Sequence, residues 1–264
     1  MPEPTRILAL LLPTTAAQAI ATHGALGLTG TVLPAEAVAA LTEPAEMLAA
    51  FAREDDPRFV DGGAVHVLRF PEDQLMTVTP QGVVQEGVPA RGWLDYTRVS
   101  VGASVWRLTA GAEPAAVAGY QSLAEGWGGS VGYQPPLGLA GPRAVWHGHE
   151  LPASVTGGVD GPEQVELVAF EPLDGMRVVR DGVWSAVVPL SDVESVFTVT
   201  LMVQWRDTPA RLLEVRGSTA LLLLPADPAV ATPVGGVETE PGVWQVSAPV
   251  SELREASGVR AYRK

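Results

Sequence analysis

The sequence predicts an α+β protein: a mixed N-terminal domain with short helices and antiparallel strands, over residues 1–141, followed by two tandem small β modules, barrel- or sandwich-like, over 142–197 and 198–264. Three observations predict it. Alternating apolar segments separated by Gly turns recur along the chain, helices longer than one turn are signalled only before Gly141, and one phrase occurs twice. That phrase is GVWSAVVPLSDVESV at Gly182–Val196 and GVWQVSAPVSELREA at Gly242–Ala256, 60 positions on.

Composition bounds the function classes. With 264 residues, 47% hydrophobic and 18% charged, the chain has enough apolar material for a core and enough length for two or three compact units. Its 30 acidic and 17 basic residues give a formal charge of −13, which argues against nucleic acid or an anionic membrane as a partner. Sixteen of those 17 basic residues are Arg, a bias that points to a GC-rich genome rather than to a function. Without cysteine there is no disulfide, thiolate nucleophile or cysteine-based zinc site, which suits a cytoplasmic protein. The apolar run Ile7–Leu12 is stopped by Pro13 and is too short for a secretory signal, and no run of about 18 apolar residues predicts a membrane span.

The elements follow in order. Thr15 and Gln18 stand in capping-box spacing and predict a helix over 16–26, ended by Gly27. Pro34 and Pro44 stand where a first helical turn tolerates them, and Met47, Leu48 and Phe51 form one apolar stripe, so two short helices with a break near Thr42 are expected. After the acidic Glu54–Asp56, AVHVLRF and QLMTVTPQGVV alternate as strands, with turns at Gly62-Gly63 and Gln81-Gly82; the strand pattern continues to Leu108. Glu113 and Pro114 then open a predicted helix in which Val117, Tyr120, Ala124 and Trp127 share a face, closed by Gly128-Gly129. SVGYQPPLGLAGP, rich in Pro and Gly, reads as a linker.

Outward from the two GVW phrases, WHGHELPASVTGG at Trp146 aligns with WRDTPARLLEVRG at Trp205, and VELVAF at Val165 with ALLLLP at Ala220. The pattern is an approximate tandem duplication. Each copy should hold a Trp-bearing strand, a turn, an apolar strand, a variable acidic loop, the GVW strand and a single helical turn at Ser191 or Ser251. One such unit buries too little surface alone, so the two should pack together.

The GVW–VPLSDV segment at Gly182–Val193, the GVW–APVSEL segment at Gly242–Leu253 and the pair Trp205-Arg206 resemble tandem β-repeat proteins of actinobacteria, some of which look like immunity partners of secreted toxins. The resemblance covers less than half of the chain. It implies a protein that blocks a toxin or enzyme by direct binding, and it brings no catalytic residues with it.

Catalytic motifs are fragmentary. His147 and His149, two apart on a strand, would point to one face and can share a metal ion, and Gly141 six positions earlier resembles the opening of the cupin metal motif. The remainder of that motif is missing: Glu150 is adjacent to His149, no histidine follows, and the second copy has Arg206 and Thr208 instead. Ser191 and Ser251 are explained by turns, no GxSxG elbow occurs, and the carboxylates Glu54–Asp56, Glu72-Asp73 and Asp192/Glu194 sit in predicted loops where solvated charge is the ordinary state. Neither GxGxxG nor GxxxxGK is present, and no cofactor is expected.

Binding has more support. Of the seven tryptophans, Trp106, Trp127, Trp184 and Trp244 fall at apolar positions, whereas Trp93 and Trp146 stand beside Gly or His and are the candidates for exposure. The loops from Asp160 and Pro233 differ most between the copies and carry Asp160, Glu163, Glu238 and Glu240. The leading expectation is a non-enzymatic protein-binding protein contacting its partner through Trp146, Trp93 and these acids. The alternatives are a hydrolase or metal-dependent enzyme using His147 and His149, and a structural module of a larger assembly.

Overall fold

The computed structural model describes residues 7–14, 16–17, 27–34, 40–71, 78–79, 92–99, 101–128, 133, 135, 140–156, 163–225, 228–240 and 243–262. The chain divides into two compact units, residues 1–135 with 155–161, and 136–154 with 162–264. The described residues are mostly β-strand in both, which corrects the expected α+β class.

In the first unit, β1 (Ile7–Leu11), β2 (Gly27–Pro34), β3 (Val60–Asp61), β4 (Ala64–Phe70), β5 (Val78–Thr79), β6 (Gly92–Arg98), β7 (Ser104–Thr109), β8 (Ala115–Ser122) and β9 (Gly126–Trp127) form one antiparallel sheet. The strand order is β5-β6-β2-β1-β4-β7-β8-β9, with β3 on the end of β4. Helix α1 (Pro44–Ala50) is the one helix of two turns among the described residues, and Pro44 opens it as expected. Pro34, by contrast, ends β2 rather than opening a helix, residues 35–39 and 18–26 lie outside the described residues, and only Val78–Thr79 of the QLMTVTPQGVV strand is described.

β4 is buried on both faces. Val65 and Val67 join Met47 and Phe51 of the α1 region in one core cluster, while Leu68 and Phe70 join Tyr120, Trp127 and Tyr133 in another. A central strand with two apolar faces needs no polar alternation.

The helix predicted from Glu113 to Trp127 is instead the hairpin β8–β9. The physical reason is that seven residues separate Tyr120 from Trp127 in either arrangement: two helical turns bring such residues onto one face, and a tight hairpin brings them directly opposite. Here they are cross-strand partners, with ring centroids 5.3 Å apart in an edge-on contact. Tyr133 closes the cluster, its hydroxyl 3.1 Å from that of Tyr120 and donating to the Leu123 carbonyl at 3.0 Å. Gly126 makes this possible. Its φ is +80°, and a Cβ there would stand 2.3 Å from the Tyr133 ring.

The second unit contains β10 (Gly141–Trp146), β11 (His149–Thr156) except its last two residues, β12 (Gln164–Ala169), β13 (Arg177–Arg180), β14 (Val183–Pro189), β15 (Ser195–Trp205), β16 (Thr208–Arg216), β17 (Thr219–Pro225), β18 (Val237–Glu240), β19 (Val243–Pro249) and β20 (Leu253–Tyr262). They form one 11-stranded sheet in the order β13-β14-β12-β11-β10-β15-β16-β17-β19-β18, with β20 also on β15. The duplication is plain in this order. β10 to β14 and β15 to β19 run through the same five positions, each copy followed by a 3-10 turn, at Leu190–Asp192 and at Val250–Glu252.

The two GVW strands are equivalent. β14 lies between β12 and β13, β19 lies between β17 and β18, and both outer pairings carry a bulge, between Val178 and Arg180 and between Glu238 and Glu240. Trp244 is buried with Trp205, Leu222 and Val246, and Trp184 is half-buried.

Two small β modules packed together were expected; the copies share one sheet because β15 serves both. Ser195–Val199 pair with β10, Met202–Trp205 pair with β16, and the opposite edge carries β20. The expected boundary at residue 197/198 falls inside this strand.

Candidate functional site

The repeated frame places one device at two corresponding points. β10 and β11 are joined by His147-Gly148, at φ +50° and +76°, and β15 and β16 by Arg206-Asp207, at φ +48° and +64°. Two consecutive positive φ values define a type I′ turn, whose twist matches that of the strands it joins.

Each turn follows a buried tryptophan and leans on it. The His147 ring stacks on Trp146 at 4.0 Å and 18°, and the Arg206 guanidinium lies 4.8 Å over Trp205. A glutamate braces each tip, two residues after the 3-10 turn in the first copy and at its last position in the second. Glu194 accepts from the Gly148 N–H at 2.8 Å, and Glu252 accepts from Trp205 Nε1 at 2.8 Å and from Arg206 Nε at 3.1 Å. The donors hold the Glu252 carboxyl below its usual pKa, Arg206 first and then Trp205.

Around the first tip the frame is elaborated into a groove. The β12–β13 loop, residues 170–176, crosses Trp146, and a Cβ on Gly175 would come within 3.1 Å of that ring. One cavity of about 360 Å³ is lined by Trp146, His147, His149, Pro172, Leu173 and Asp174. A second of about 300 Å³ shares His149 and Leu173 and adds Arg143, Glu150, Phe170 and Glu171.

Glu150 anchors the groove floor, its carboxylate 2.9 Å from Arg143 Nε and 3.0 Å from Arg260 Nη2. Arg143 Nη2 also donates to the Glu150 carbonyl at 3.0 Å. The rim differs in character: His147, His149, Glu171 and Asp174 are exposed, as is Phe170. The groove therefore offers an acidic lip, two imidazoles and an apolar ring.

The sequence-predicted residues meet different fates. Trp146 lies at the centre of the groove but is only 5% exposed, because His147 and the Gly175 loop cover it; its expected exposure is corrected. His147 and His149 do not share a strand face. His147 is a turn residue and His149 opens β11 opposite Trp146, so Gly148 separates them around a bend. Both line the same cavity, yet among the described residues no group of three or more His, Asp or Glu side chains has metal-holding geometry.

Glu163 is half-buried before β12, and its carbonyl accepts from Leu190 N at 2.9 Å. Glu238 and Glu240 lie in the outermost strand β18, Glu238 half-buried, on the opposite copy from the groove. Asp160 and the side chains of Trp93 and Glu240 lie outside the described residues.

The two acidic loops are not equivalent, which corrects their pairing in the sequence. The loop carrying Asp160 joins β11 to β12, where the second copy has the tight turn Gly217-Ser218; the stretch from Pro233 follows β17. Sequence reading missed Phe170, Glu171 and Asp174. Phe170 ends VELVAF, and the signal available for Glu171 and Asp174 was their place between that strand and GVW, the counterpart of the second copy's long insertion.

Among the described residues, no helix is long and apolar enough to cross a membrane. No protein-family model, curated protein or solved structure matches the chain.

Proposed function

We propose that the protein is a non-catalytic binding protein that engages another protein through the groove over Trp146, and that it acts in the cytoplasm as an inhibitor of the immunity type. One observation carries this reading. The two copies keep the frame, Trp146 and Trp205 with their I′ turns, while His147, Gly148, His149 and Glu150 become Arg206, Asp207, Thr208 and Pro209. Differences on a duplicated frame collect where one copy has acquired a task the other lacks.

The chemistry of the lip supports a basic protein as the partner. Glu171 and Asp174 suit a basic loop, the exposed Phe170 suits an apolar anchor beside it, and the overall charge of −13 speeds the encounter with a basic protein. The absence of cysteine fits a reducing compartment.

A second reading, a metal-dependent enzyme, is favoured by one feature: His147, His149 and Asp174 line a single cavity. One experiment separates the two. The tagged chain is used to capture partners from its source cells, with proteins and metals measured on the same eluate. The binding reading expects one stoichiometric protein, lost with Asp174→Arg and weakened about tenfold by Phe170→Ala. Near-equimolar metal that disappears with His147→Ala and His149→Ala would establish the enzyme reading instead.

A further inference from the structure

Arg69 stands near the end of β4, a strand buried on both faces. Its guanidinium lies 4.2 Å over the Trp106 ring, and its Nε is sealed from water with no acceptor among the described residues. Burial lowers its pKa from the ordinary arginine value. A guanidinium that has lost part of its hydration ordinarily gains a carboxylate in exchange. The chain has 30 acidic residues, yet among the described residues no ion pair forms at Arg69.

The neighbouring donor is in the same condition. Ser104 is the register partner of Arg69 on β7, so the two side chains stand side by side on one face of the sheet. Trp106, two residues on, shares that face, and its Nε1 donates to Ser104 Oγ at 2.9 Å. The Ser104 oxygen is thus engaged as an acceptor, and its own O–H is left to donate, with no acceptor among the described residues. One tryptophan sets both groups: its ring face fixes the plane of the guanidinium, and its N–H turns the hydroxyl proton away from the indole.

We propose that Arg69 and Ser104, oriented by Trp106, form a binding site in the first unit for the carboxylate group of a small ligand.

Two features select a carboxylate. With Nε covered, the open donors of Arg69 are its terminal N–H groups, an end-on pair that matches the two oxygens of a planar carboxylate. Ser104 adds a third donor beside them. Arg69 also supplies one positive charge, which a carboxylate balances, whereas a phosphate dianion brings an uncompensated charge to a chain already at −13.

The test is a titration of the isotope-labelled intact chain with sodium acetate, balanced with sodium chloride to hold ionic strength constant. The Trp106 indole N–H resonance, assigned with Trp106→Phe, is followed because its acceptor is the Ser104 hydroxyl that binds the ligand. The expected result is a saturable shift with half-saturation on the order of millimolar, weakened about tenfold or more by Arg69→Met. The remaining resonances show whether that variant is folded. Arg69→Lys, which keeps the charge and loses the paired donors, provides a second measurement and should weaken binding about fivefold. Inorganic phosphate in the same titration should bind at least about tenfold more weakly than acetate. A shift that grows linearly, that chloride reproduces, or that survives both Arg69 variants overturns the site; phosphate binding as tightly as acetate overturns the carboxylate assignment.

Discussion

Single side chains decide more here than the average surface position does. Gly126 stands at φ +80° against the Tyr133 ring, so Gly126→Ala combines a left-handed alanine with a collision. A loss of at least about 1–2 kcal/mol is expected in a urea melt. His66 is buried in β4 with no hydrogen-bond partner for Nδ1 among the described residues. Burial first, and then the Arg107 charge, hold its pKa below the ordinary 6.5, with Asp61 opposing them. The unfolded chain therefore binds the proton more readily than the folded one. Stability is complete above pH 6.5 and is lost as pH falls through the lower folded value. Denaturation midpoints measured from pH 8 to pH 5 should show this decline, and His66→Leu should flatten it. Glu252 gives a second decline at lower pH, because its carboxyl is held below the ordinary 4.5 by Arg206 and Trp205. Glu252→Leu should lower the melting temperature more than Glu252→Gln, which keeps an acceptor for the buried Trp205 N–H.

Among the elements, the I′ turns are the most directly testable. Asp207, at φ +64°, occupies the place Gly148 fills in the first copy, so Asp207→Gly should stabilise the chain by about 0.5–1 kcal/mol in thermal melts, leaving the Arg206 contacts in place. This scale also marks where the sequence was legible. AVHVLRF formed the expected strand and Pro44 opened α1 as expected, because a short apolar, Val-rich run after a Gly turn and a first-turn proline are local signals. The hairpin β8–β9 was not legible, since Tyr120 and Trp127 satisfy helical and hairpin geometry equally, and only the left-handed Gly126 and the distant Tyr133 break the tie. The groove was half legible. His147 and His149 were visible as a pair, but their separation around a bend depends on positive φ at His147, which no side-chain pattern announces. Phe170 and Asp174 come to the site from a loop whose path is set by packing on Trp146.

At the scale of the molecule, the duplication was readable from two tryptophan phrases, whereas the single sheet that unites the copies was not, because strand pairing across a repeat boundary leaves no local trace. Under the proposed binding role, the net charge of −13 steers the encounter with a basic partner. Capture of a basic partner should slow as salt rises, an expected fall in association rate of about tenfold or more between low and physiological ionic strength in stopped-flow measurements. The strand β15, shared by both copies, carries a further consequence for descent. A unit that borrows its closing strand from the unit after it can be gained or lost only whole, at about 60 residues a time, with a spare first strand always trailing the last one.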